Sequence, residues 1–120
     1  MDTTETNTPL IRMNLFRDQD YEDVIKAVAA ISGFTDKQLK DKHSRRVTSW
    51  VRLGIYVAHD MGMTLDEASS LFKRHYTTGH AAVKKIKALL KVKDPLVTKW
   101  VNALRSYIKK SQEEQNNLDS

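Results

Sequence analysis

Cysteine is missing from this chain altogether, which removes several classes of function at once. Disulfide frameworks, thiolate zinc sites and cysteine nucleophiles are excluded, and a reducing compartment fits the composition. Proline occurs twice and glycine four times, too rarely for a Pro/Gly-rich low-complexity chain. No apolar run approaches the ~20 residues that a membrane span needs. A secretory leader is not expected either. No alternating apolar/polar stretch and no Asn-Gly turn marks a β-hairpin, and no internal repeat is present. The signatures of catalysis are also lacking. There is no G-x-x-x-x-G-K-[ST] phosphate loop, no HExxH metal spacing and no pair of carboxylates on an apolar segment. An enzyme is not expected, nor is a cofactor or a metal.

What remains reads as helices. At 120 residues the chain suits one domain able to bury about 65% of its unfolded surface. Residues 1–17 are polar and expected to be disordered, as is the tail 111–120, leaving a single helical domain over 18–110. Val24, Ile25, Val28 and Ala29 form one apolar stripe that Gly33 ends. Thr35 can cap a short helix through Leu39. From Ser44 to about Met61 the apolar residues Val47, Trp50, Val51, Leu53, Ile55, Val57 and Ala58 cover most of a helix circumference. That pattern predicts a helix buried among others. Asp94-Pro95 is an N-cap followed by proline at the first helical position, and Val97, Trp100, Val101, Leu104 and Ile108 then keep helical spacing. The fold class is all-α, a compact bundle of five to six helices.

Within it, residues 64–90 predict two helices joined by a tight basic corner, a helix-turn-helix. Thr64 and Glu67 have the spacing of a capping box, with Asp66 and Glu67 facing the positive helix end. The second helix starts at Thr77 or just before it and packs through Ala82, Val83, Ile86, Leu89 and Leu90. Thr77, Thr78, His80, Lys84, Lys85 and Lys87 are then left facing outward. Hydroxyls at a helix start with lysines further along are groups that contact base edges and phosphates. Amphipathic helix pairs occur in every helical domain, so the charge distribution matters. Residues 42–91 hold ten Lys and Arg against three Asp and Glu, while the first 41 residues are net acidic. This local excess is the footprint expected of a polyanion partner, since neutralised phosphates release counterions.

The order of these landmarks, from about Tyr21 to Ile108, resembles the C-terminal DNA-binding domain of the bacterial chromosomal replication initiator DnaA, a helical domain related in fold to the Trp repressor. TDKQLKDKHSRR resembles that family's short helix and Lys/Arg/Ser-rich loop, and VTSWVRLGIYVAHDM its long central helix. MTLDEASSLF resembles its first helix-turn-helix element. KRHYTTGHAAVKKI lies where the family carries Gly-Gly-Arg-Asp-His-Thr-Thr and a basic helix. The resemblance implies that Thr77 and Thr78 contact bases in the major groove. It further implies that Arg74 is the signature arginine, that Lys85 meets the sugar-phosphate backbone, and that Lys42, His43 and Arg45 reach the minor groove. The chain departs from the family at His75, where an aspartate is usual, and at Tyr76, where a histidine is usual. Lys73 replaces a glycine pair, Arg52 a glutamine and Val51 an arginine.

The expected interface therefore comprises Lys42, His43, Arg45, Arg46, Arg52, Lys73, Arg74, His75, Tyr76, Thr77, Thr78, His80, Lys84 and Lys85. Tyr76 either meets DNA or staples the helix start against the core. Gly79, costing roughly 1 kcal/mol against alanine in a helix, implies close approach of another helix or of DNA. His80 reads as a surface contact. The expected function is a stand-alone duplex-DNA-binding protein acting in replication initiation or transcription, in the cytoplasm with the nucleoid. The alternative is a helical adaptor that binds a replication or transcription protein. A ligand-sensing repressor would require a dimer.

Overall fold

The computed structural model describes residues 18–119, with side chains from 22 to 114; the polar segment 1–17 lies outside the described residues. Six α-helices follow one another, and among the described residues there is no strand: α1 (Asp18–Ser32), α2 (Asp36–Asp41), α3 (Arg45–Asp60), α4 (Leu65–Leu71), α5 (Tyr76–Lys91) and α6 (Pro95–Asp119). The chain is an all-α bundle.

Side chains near the first turns define most of the helix starts. Thr35 Oγ accepts from the Gln38 amide at 3.1 Å while Gln38 Oε1 accepts from the Thr35 amide at 2.9 Å. Thr64 and Glu67 form the same reciprocal pair at 3.1 and 2.9 Å, so the capping box read from the spacing opens α4. Ser44 caps α3 and Asp94 caps α6. The ends of α3, α4 and α5 share one device. Gly62, Lys73 and Lys93 adopt left-handed backbone, with φ of 114°, 53° and 57°. The next amides, of Met63, Arg74 and Asp94, return to the carbonyls of Ala58, Ser69 and Leu89 at 3.2, 2.9 and 3.0 Å. These are Schellman closures. They reverse the chain quickly and set the next capping residue at once, so α3, α4, α5 and α6 stack with short corners.

Helix α3 is the spine, packed by every other helix. Val47, Val51, Ile55, Val57 and Ala58 are essentially sealed, joined by Val24 and Val28 of α1, Leu39 of α2, Phe72 beyond α4 and Val101 and Leu104 of α6. Two glycines mark where elements come closest. A Cβ on Gly54 would sit 2.6 Å from the Phe72 ring and 2.9 Å from Val28. One on Gly79 would overlap Ser69 Oγ. The close approach expected at Gly79 is therefore that of α4, not of DNA. Helix α6 runs on through 111–119, the stretch expected as a disordered tail. SQEEQNNLD contains no glycine or proline, so nothing in its backbone chemistry stops a helix already propagating from a packed first half.

Candidate nucleic-acid interface

Helix α5 is held by its buried side, Gly79, Ala82, Val83 and Ile86, against α3 and α4. At about 100° per residue, the opposite side is a line of Thr77, Ala81, Lys84, Ala88 and Lys91, all exposed. Lys85 flanks this line on one side, and Tyr76, His80 and Lys87 flank it on the other; all four are exposed. Thr78 is half-buried, because a step of about 100° from Thr77 turns it towards the body. Small side chains at 81 and 88 keep the middle of the line low, so another surface can come close to the helix backbone. Spacing alone, counted from Thr77 and Lys84, would have revealed these two alanines.

His75 is the N-cap of α5. Its Nδ1 accepts from the Thr77 amide at 3.2 Å and lies 2.9 Å from Thr77 Oγ1. The imidazole thus does the work that an aspartate does more strongly. Tyr76 is 49% exposed and stacks on His80 with ring centroids 6.2 Å apart. It is not a staple into the core. His80, Lys84 and Lys87 border a shallow depression with His59 and Leu65. Among the described residues no group of three or more His, Asp or Glu side chains could hold a metal ion, and no helix is long and apolar enough to cross a membrane.

Arg74 corrects the expectation that it reaches for DNA. It is buried, 9% exposed, and its guanidinium is spent on backbone carbonyls. Nη1 donates to Lys40 O at 2.7 Å and to Phe72 O at 2.8 Å, and Nη2 donates to Lys42 O at 2.7 Å. Burial lowers its pKa below the usual arginine value, an effect the nearby Asp41 carboxylate opposes. Lys40 and Lys42 carry carbonyls at the C-terminal end of α2, where a cation also meets the negative end of the helix. Arg74 therefore clamps the loop that follows α2 to the corner preceding α5.

That clamp fixes the basic loop relative to α5. Lys42, His43, Arg45 and Arg46 are exposed, and the Arg46 guanidinium rests 5.8 Å over the Phe34 ring. Arg45 and half-buried Arg52 share one side of α3, two turns apart, with Ser49 between them; Arg52 and Lys85 meet at one groove. Lys73 is exposed at the corner, 3.9 Å from Asp41. Among the described residues Lys42, Arg45, Arg46, Lys84, Lys85 and Lys87 enter no ion pair. The carboxylates of Asp36, Asp41 and Asp60 are instead paired with Lys40, Lys73 and Arg105. No family model matches the chain, and neither a curated protein nor a solved structure matches it.

Proposed function

We propose that this protein binds duplex DNA, with α5 in the major groove and the loop over 42–46 on the phosphate backbone or in the adjacent minor groove. The observation that carries the reading is the Arg74 clamp, which joins two unpaired basic segments into one rigid surface. Helix α5 is 16 residues long, about 24 Å, and a major groove about 12 Å wide admits a helix. In this arrangement Thr77 meets base edges or a thymine methyl, and Lys84 and Lys85 meet phosphates. His75 in place of a carboxylate favours phosphate or guanine over the amino group of cytosine. The resemblance to the DnaA DNA-binding domain supports the same docking and suggests a role in replication initiation or transcription, at the nucleoid.

Fluorescence anisotropy with a labelled duplex at two or more salt concentrations tests the reading. Lys84→Ala and Lys85→Ala should each weaken binding to every sequence and lower the salt slope by about one. Thr77→Val should change sequence preference, scored by selection from a randomised duplex pool. An affinity that does not respond to ionic strength would refute the proposal.

A further inference from the structure

A groove of about 330 Å³ opens between α3, α5 and the start of α6, beside the proposed DNA surface but chemically unlike it. Its floor is Trp50, Leu53, Ile86, Leu89, Val97 and Trp100. Both tryptophans of the chain are there, edge to face with centroids 5.0 Å apart, and neither is buried. Leu96 on the lip is 64% exposed, and Val92 on the approach to α6 is 73% exposed. Apolar surface left open to water in one continuous place marks an interaction site more often than scattered single residues do.

Cations outnumber carboxylates on the rim. Arg52 and Lys85 line it, and Lys99 Nζ lies 4.8 Å over the Trp100 ring. Among the described residues Asp94 is the only carboxylate lining it, and its Oδ1 already accepts the Val97 amide at 3.0 Å. An occupant must therefore bring both large apolar side chains and its own carboxylates. Duplex DNA satisfies the cations, but its one apolar group in the major groove is the thymine methyl, too small for this floor. A second copy docking the same face would set these cations against each other.

We infer that the groove seats an acidic amphipathic helix of a partner protein. Apolar residues at i, i+3 or i+4, and i+7 fill the floor, and flanking carboxylates meet Arg52, Lys85 and Lys99. The inference does not depend on DNA binding, and either can fail alone.

Because the two tryptophans report on the groove, their emission is the readout on the full chain. The probe is a synthetic helical peptide with leucines at i, i+3, i+4 and i+7 among glutamates. The control peptide has the same composition with the leucines spread around the helix. The expected result is a saturable emission change with the first peptide at an affinity at least about tenfold tighter than with the second. Leu96→Asp and Arg52→Glu should each weaken it at least about tenfold, with a retained circular-dichroism melt, since Leu96 is exposed. Equal response to both peptides, or an unchanged titration with Leu96→Asp, would overturn the inference. So would sedimentation as a dimer that Leu96→Asp converts to a monomer, which makes a second copy the occupant. A duplex that elicits the same emission change, lost in Leu96→Asp, would assign the groove to nucleic acid and overturn it as well.

Discussion

Arg74→Ala is the most searching perturbation, because it separates an arginine that holds the fold from one that touches a partner. The substitution removes three charge-assisted hydrogen bonds of 2.7, 2.8 and 2.7 Å. Bonds to charged groups contribute about 1.5–3 kcal/mol each. The total is smaller than the sum, because Lys40 O and Lys42 O lie in segments that water can reach and because burying the guanidinium itself costs free energy. A net loss of about 2–3 kcal/mol follows, a large share of the about 5–15 kcal/mol that holds a domain together. For a domain near 100 residues that lowers the melting temperature by about 10–20 °C. Arg74→Lys keeps the charge but not the planar fork, so it should recover about half of the loss. Thermal melts followed by far-UV circular dichroism measure both. At low temperature, where Arg74→Ala is still folded, its affinity for duplex should fall because the 42–46 loop is no longer held to the α5 corner. A melting temperature within about 2 °C of the parent would refute the clamp. It would return Arg74 to the role of a surface contact.

Lys73→Gly relieves a left-handed residue at φ 53° and should raise stability by about 0.5–1 kcal/mol, read as a higher melting temperature, while lowering duplex affinity slightly through the lost charge. Gly79→Ala forces a Cβ onto Ser69 Oγ, whose hydroxyl is buried and donates to Leu65 O at 2.7 Å. A denaturant melt should show a loss of about 1–2 kcal/mol, the overpacking cost less the helix-propensity gain, and adding Ser69→Ala should restore most of it, a non-additive pair. His75→Asp strengthens the α5 cap and should stabilise by about 0.5–1 kcal/mol; in selection from random duplexes it should shift preference toward cytosine and weaken overall affinity.

Helix positions and their starts were legible in the sequence because their causes are local. Thr35, Thr64 and Asp94 each act on an amide three residues away, and the near-continuous apolar run of α3 predicts its burial whatever surrounds it. Arg74 was not legible. Two of its three carbonyl partners lie 32 and 34 residues earlier, and an arginine in a basic corner looks the same in sequence whether it points in or out. Helical spacing puts Trp50 and Trp100 on the apolar sides of their helices, and both pack against the core, but spacing shows only which residues share a side, not whether a further layer covers them. The resemblance groups Thr78 with Thr77, although neighbouring helix residues diverge by about 100°. Polarity in the tail argues against a packed core but not against a helix.

The basic surface is costly to the fold that carries it. Lys84, Lys87 and Lys91 follow one another at i, i+3 and i+4 spacings on exposed α5, where like charges destabilise a helix by about 0.2–0.5 kcal/mol per pair. A domain selected only for stability would place glutamates among them, as the chain does when it pairs Asp36 with Lys40 four residues on. The same chain also spends a buried guanidinium to hold a second group of unpaired cations beside that helix. Local repulsion maintained by a rigid clamp makes physical sense when a dense line of negative charge relieves it, and among macromolecules the phosphate backbone is the densest regular one. Added polyanion should therefore raise the melting temperature of the parent chain, and it should do so less in Lys84→Ala and Lys87→Ala, whose surfaces have less repulsion to relieve.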